Sequence, residues 1–119
     1  MSRDWELYIE DILDACGKIV LYTEGMSFEQ FTMDTKTYDA VVRNLEIIGE
    51  ASKNIPDTAR VTMPEIEWRK AAGLRDIIAH AYFGIDDQIL WDIVKRKVPE
   101  MLHAVKTLHG KIRRKGKYV

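Results

Sequence analysis

The sequence predicts an all-α fold, an antiparallel bundle of four to five helices. Apolar residues recur at three- and four-residue intervals along most of the 119-residue chain, which is the spacing of one helix face. Strict alternation of apolar and polar residues, the pattern of a half-buried strand, nowhere runs for a useful length. Glycines and prolines stand between the periodic stretches, where helices end and begin.

The first helix is predicted from Arg3 to Glu24, and Gly25 follows it in the position that favours a helix C-cap. Its apolar stripe consists of Trp5, Tyr8, Ile9, Ile12, Cys16, Ile19 and Val20. Ser27 and Gln30 have the spacing of a capping box, which predicts a short helical turn through Phe31.

A long second helix is predicted from Asp34 or Thr35 to about Asn54, because Pro56 cannot continue it. Its inward face consists of Tyr38, Val41, Val42, Leu45, Ile48, Gly49 and Ser52. Since glycine and serine are small, a neighbouring helix is expected to approach closely at Gly49 and Ser52.

A mostly polar loop is predicted from Ile55 to Met63. Pro64 then occupies the position of a first helical residue, with two glutamates after it at the favourable N-terminal end. The third helix is predicted to run to about Tyr82, and Gly84 closes it.

Asp86 or Asp87 is predicted to cap a fourth helix. Pro99 either kinks this helix or starts a fifth, which continues to Gly110. Residues 1–110 are therefore expected to form one domain, and residues 111–119 a basic C-terminal tail.

The composition is that of a soluble globular protein, with 46% hydrophobic and 31% charged residues. Cys16 is the one cysteine, so a disulfide within the chain is excluded. The acidic N-terminus does not resemble a signal peptide, and no run reaches the roughly 20 apolar residues that span a bilayer. We expect a cytoplasmic protein that does not enter the membrane.

The formal net charge of -1 hides an asymmetry, because nine of the 18 lysines and arginines lie after residue 94 and Glu100 is the one acid there. A polyanionic partner would bind such a basic end. A solvated helix end that only improves solubility is the alternative. The sequence leaves both readings open.

Arg75 stands out on the third helix. On an ideal helical wheel it lies within about 60° of apolar residues, which are Trp68, Ala71, Ala72, Ile78, Ala79 and Tyr82. An arginine on such a face is costly unless an anion meets it. The anion could be a ligand, or it could be the carboxylate of Glu46 or Glu50 on the second helix.

Two further polar residues follow on this helix. His80 lies about 140° around the wheel from Arg75, whereas Tyr82 lies about 20° from it. An ideal helix would not bring Arg75 and His80 together, so convergence requires a distorted last turn near Gly84 or a second copy. Taken alone, His80 would be a packed or solvated histidine and Tyr82 a core residue.

The stretch from Arg75 to Tyr82 reads R-x-x-x-x-H-x-Y. This motif, with flanking segments at Asn44–Ala51, Trp68–Arg69 and Leu90–Val94 and with Pro99 beyond them, resembles the HepT-like toxins of the HEPN superfamily of helical ribonuclease domains. The resemblance covers nearly the whole chain, from about Trp5 to Leu108.

The resemblance implies the toxin of a bacterial toxin–antitoxin system. Such a toxin is a metal-independent endoribonuclease that needs no cofactor and works as a symmetric homodimer, with both copies of the motif lining one cleft. In this chain His80 would be the general acid or base and Arg75 would bind the transition-state charge. Asp76 would orient a catalytic group or the RNA.

The resemblance also implies a partner and a modification. HepT-like toxins are commonly encoded beside a minimal nucleotidyltransferase antitoxin, and similar systems silence the toxin by attaching AMP to the motif tyrosine, which is Tyr82 here. AMP at this position would obstruct the cleft.

Two other functions remain open from the sequence. The chain could be a non-catalytic helical module that binds and regulates a nucleotidyltransferase, or a plain structural bundle in which Arg75 is permanently paired. Glu46 and Glu50 lie four residues apart on one helix face, as a metal-binding carboxylate pair would. Because no second carboxylate–histidine motif accompanies them, we expect them to pair with Arg75 or Arg43 and to bind no metal.

Overall fold

The predicted all-α class is confirmed. The computed structural model describes the backbone of residues 4–81 and 86–117 and the side chains of residues 5–79 and 86–111, and within these ranges it contains helices and no strand. The helices are α1 (Asp4–Thr23), α2 (Phe28–Met33), α3 (Thr35–Lys53), α4 (Asp57–Arg60), α5 (Trp68–Ala72), α6 (Leu74–Ala81), α7 (Asp87–Asp92) and α8 (Val98–Lys117), with a π-helical segment at Ile93–Lys97.

The predicted ends of the first two long helices are confirmed to within a residue, and the predicted short turn is found as α2, which ends at Met33. Gly25 has a φ of 74°, the left-handed conformation in which a glycine ends a helix. At the start of α2 the Ser27 hydroxyl accepts from the Gln30 amide at 3.1 Å, while the Gln30 side chain accepts from the Ser27 amide at 2.9 Å. Asp34 caps α3 by accepting from the Thr37 amide at 3.0 Å.

The core lies between α1, α3 and the C-terminal helices. Tyr8 and Asp11 near the start of α1 face the second half of α3, so these two helices run antiparallel. Glu10 Oε1 of α1 lies 3.4 Å from His109 Nε2 of α8, and this contact places the second half of α8 beside the first half of α1. The largest fully buried side chains are Phe31, Ile9, Ile12, Ile19, Leu45, Ile48, Met63, Val41, Val94 and Val105.

The predicted third helix is wrong in two respects. Pro64 does not begin it: α5 begins at Trp68, whose buried indole N–H donates to the carbonyl of Met63 at 3.2 Å and so holds the preceding segment in a turn. The helix is also interrupted at Gly73, where a ψ of -11° departs from the α-helical value and separates α5 from α6. The predicted loop from Ile55 to Met63 contains the short helix α4.

Pro99 lies where the sequence predicted a kink in the fourth helix or the start of a fifth, directly after an irregular helical segment. The π-helical segment Ile93–Lys97 connects α7 directly to α8, and Pro99 is the second residue of α8. A proline lacks the amide N–H and crowds the carbonyl four residues earlier, and the wider π turn before it accommodates both defects. The helix also continues past its predicted end at Gly110, because α8 extends to Lys117.

None of the helices in the described residues is both long enough and apolar enough to cross a lipid bilayer.

Candidate functional site

An open groove of about 740 Å³ lies where α1, α3 and α6 meet. Tyr8 and Asp11 line it from α1, Glu46 and Glu50 from α3, and Arg75 and Ile78 from α6. We call this surface the Arg75 groove. The motif helix α6 therefore forms one wall of a concave surface large enough to admit part of a nucleotide chain.

Arg75 is exposed at the rim of the groove, and its expected burial in an apolar face is wrong. Its side chain is 62% exposed, whereas Leu74 and Ile78 carry the buried face of α6. Within α6 the buried Leu74 and Ile78 lie about 100° and 60° to the same side of Arg75 on the wheel, so Arg75 stands at the edge of the buried face and not in its middle. The expected partner is confirmed: Arg75 Nη1 donates to Glu50 Oε2 at 3.0 Å.

Gly49 determines how closely α6 approaches α3. A Cβ atom at this position would lie 3.1 Å from the backbone nitrogen of Arg75 and 3.6 Å from the carbonyl oxygen of Ala71. The prediction that a neighbouring helix approaches α3 at Gly49 is therefore confirmed. The same contact fixes the position of the Arg75 backbone relative to Glu50, one residue after Gly49.

The described side chains give the groove no excess of positive charge. Asp11, Glu46 and Glu50 contribute three carboxylates, and Arg43 and Arg75 contribute two guanidinium groups. Glu46 Oε2 lies 3.3 Å from Arg43 Nη1, as the sequence predicted for one of the two glutamates. An RNA phosphate that approaches Arg75 must therefore compete with a carboxylate that is already there.

The other three motif residues, Asp76, His80 and Tyr82, differ in how much of each the structure describes. Asp76 is exposed in the first turn of α6, but it is not among the described residues that line the groove. His80 belongs to α6, and its side chain lies outside the described set. Tyr82 lies outside the described residues altogether. The convergence of Arg75 with His80 therefore stays a prediction.

Sequence reasoning missed the wall that α1 contributes. Tyr8 was assigned to the apolar stripe of the first helix and Asp11 was not singled out, yet both line the groove with Arg75. Nothing in their local sequence signals this, because it depends on how α1 packs against α3 and α6. Arg43 was found, because it lies three residues before Glu46 on the same helix face and was expected to pair with one of the two glutamates.

Two of the three described groove carboxylates are engaged by arginines. Within the part of the chain whose side chains are described, no three histidine, cysteine, aspartate or glutamate residues lie close enough together to hold a metal ion. Glu46 and Glu50 each contact a guanidinium group.

Comparison with known proteins identifies a family. The family model described as "Ribonuclease HepT-like" matches residues 12–108. The chain is 48% identical over 101 residues to "Probable ribonuclease HepT" of Thermococcus cleftensis, covering 85% of this chain and 92% of that protein. It is 41% identical over 113 residues to "Putative RNase MJ0127" of Methanocaldococcus jannaschii, covering 92% and 93% of the two chains. No solved structure matches.

Proposed function

The chain belongs to the ribonuclease HepT-like family, and we propose that it is an endoribonuclease that cleaves RNA without a metal ion, as the toxin of a toxin–antitoxin pair in the cytoplasm. The observation that supports this most directly is the exposed guanidinium group of Arg75, on the motif helix, at the rim of an open groove. The names of the relatives agree with an RNA substrate.

Cleavage without a metal needs two proton transfers. A base takes the proton of the ribose 2′-hydroxyl, whose oxygen then attacks the adjacent phosphorus, and an acid protonates the departing 5′ oxygen. A histidine side chain, whose unperturbed pKa is about 6.5, can serve either step at neutral pH. We assign this role to His80 because it is the histidine of the motif. Asp76, next to Arg75 in sequence, would orient a catalytic group or the RNA.

Arg75 would stabilise the negative charge that gathers on the phosphorane-like transition state, for which a planar guanidinium is well suited. To do so it must exchange the Glu50 carboxylate for a phosphate oxygen. Because both side chains are more than half exposed, breaking this pair costs only about 0–1 kcal/mol. The resting ion pair therefore does not oppose the proposed role.

A second copy of the chain would complete the site. On an ideal helix His80 lies about 140° from Arg75, so one helix does not bring both groups to the same phosphate. A symmetric homodimer that joins two grooves would add a second Arg75 and a second His80 to the same cleft. It would also allow Arg75 of one copy to act with His80 of the other.

The proposed antitoxin is a minimal nucleotidyltransferase that attaches AMP to Tyr82. The intact mass of the toxin after co-expression with its neighbouring gene tests this. An added AMP mass that disappears in Tyr82→Phe, but persists in a control with the exposed Tyr22 changed to Phe, would support the modification. An unchanged mass would remove it.

The nuclease activity is tested by incubating purified protein with RNA in excess chelator. We expect wild-type protein to cut, and His80→Ala and Arg75→Ala to lose at least about a hundredfold, as is typical for a general acid–base group. The matched controls are His103→Ala and Arg69→Ala, since both residues are exposed and lie outside the groove. If wild-type protein leaves RNA intact, the alternative of a non-catalytic module that regulates a nucleotidyltransferase replaces the nuclease.

A further inference from the structure

The end of α8 is a strongly basic helix. From Lys106 to Lys117 the helix carries six lysines and arginines and no acid. The helical backbone is continuous to Lys117, so the residues that carry these charges span roughly 18 Å of helix. Lys106 and Lys111, the two whose side chains are described, are both exposed.

This basic helix lies next to the groove. His109 Nε2 of α8 is 3.4 Å from Glu10 Oε1 of α1, and the residue after Glu10 is Asp11, which lines the Arg75 groove. The first turns of α1 therefore have the groove on one side and α8 on the other. At the level of His109, one helix, about 10–12 Å wide, separates α8 from the Arg75 groove.

The groove itself cannot supply the affinity for a polyanion, since its described carboxylates outnumber its guanidinium groups. The sequence carries six lysines and arginines and no acid from Lys106 to Lys117, so positive charge is least offset at the end of α8. Contacts to phosphates position a nucleic acid without reading its sequence, and lysine and arginine residues on a helix suit that role.

We propose that the helix from Lys106 to Lys117 binds the RNA backbone and delivers the strand to the Arg75 groove. This proposal rests on the proposed ribonuclease function and assigns binding and cleavage to different surfaces. Substrate affinity would then reside on α8, whereas the chemical step would belong to α6.

The experiment measures binding and cleavage separately. Binding of a fluorescent single-stranded RNA is followed by anisotropy between 50 and 300 mM salt, roughly the range where phosphate contacts are resolved, using His80→Ala protein so that the probe stays intact. One variant removes three charges from α8: Arg113→Gln, Arg114→Gln and Lys117→Gln. The matched control removes three exposed charges elsewhere: Lys18→Gln, Lys36→Gln and Arg69→Gln.

For a single strand, each lost phosphate contact makes the slope of the logarithm of the binding constant against the logarithm of the salt concentration shallower by about 0.7. The slope of the α8 variant should therefore be shallower than that of the parent by up to about 2. That corresponds to an affinity loss of up to about a hundredfold near 0.1 M salt. The control should bind like the parent. With His80 restored, removal of the α8 charges should raise KM and leave kcat unchanged.

Several results would overturn the proposal. The α8 variant could bind RNA with the parent's slope but unfold more easily, which would mean that the charges only compensate the acidic α1. It could lose no more affinity than the control, or the parent could bind anionic lipid vesicles and no RNA. A wild-type protein that binds RNA through α8 but never cuts it would refute the nuclease function while leaving this inference intact.

Discussion

Replacing Glu50 by glutamine tests the exchange that the proposed mechanism requires. Glu50 Oε2 accepts from Arg75 Nη1 at 3.0 Å, and the two side chains are 55% and 62% exposed. An ion pair with this exposure contributes about 0–1 kcal/mol. Glutamine keeps the size of the side chain and removes its charge, so Arg75 becomes available to a phosphate without having to break the pair.

The expected result is a gain in activity. Since about 1.4 kcal/mol corresponds to a factor of ten, removal of the competing carboxylate should raise kcat/KM by up to about fivefold. The gain should shrink as salt screens the exposed pair. The assay is steady-state cleavage of a short RNA in chelator at two salt concentrations. Glu46→Gln is the matched control, because Glu46 contacts Arg43 and not Arg75.

A loss of activity would refute this reasoning. If Glu50→Gln lowered kcat/KM tenfold or more while Glu46→Gln did not, Glu50 would be holding Arg75 in its working position or taking part in proton transfer. The carboxylate would then be part of the machinery rather than a competitor of the phosphate.

Three further predictions follow from contacts near the site and in the core. Gly49→Ala gains up to about 1 kcal/mol of helix propensity but places a Cβ 3.1 Å from the backbone nitrogen of Arg75. We therefore expect kcat to fall several-fold with little change in melting temperature. An unchanged kcat would show that α6 can shift away from α3 without loss of activity. Tyr38→Phe removes the 2.7 Å hydrogen bond to Asp87 that joins α3 to α7, which should lower the free energy of unfolding by about 1 kcal/mol, measured by urea denaturation. In the parent, burial and this bond raise the pKa of Tyr38 to about 12, so absorbance titration should find one tyrosine that ionises late. Burial also raises the pKa of the Cys16 thiol to about 12, so this group adds stability below pH 9 that is lost as the pH rises. Iodoacetamide should label the thiol at pH 8 only in denaturant. Labelling of the native protein would contradict its burial.

Much of the fold could be predicted because its helix ends are local. The glycine at position 25, the capping box at Ser27 and the aspartate at position 34 act on backbone groups within three residues of themselves, so the sequence alone specifies them. The start of α5 could not be found this way. It depends on the buried Trp68, whose indole reaches the carbonyl of Met63 only after the core has closed around it.

The site was predicted in part. The pairing of Arg75 with Glu50 joins residues 25 positions apart, and it could be anticipated because an arginine beside apolar residues needs an anion and α3 offers one. Its exposure was missed because helical spacing alone does not say on which side of the arginine the core will lie, and in the structure that side carries Leu74 and Ile78. The α1 wall of the groove was missed because no periodicity within one helix says which other helix will face it.

The exposure of Arg75 is what makes the proposed chemistry feasible. A buried arginine–glutamate pair would cost about 3–5 kcal/mol to separate, and a phosphate that displaced the carboxylate would leave a second buried charge without a partner. At the rim of an open groove the released Glu50 carboxylate returns to water, so the exchange costs at most about 1 kcal/mol. On α6 the buried face carries Leu74 and Ile78, and Arg75 stands at the edge of that face and stays in solvent. An arginine in the middle of the same face would act as a structural ion pair and not as a phosphate ligand.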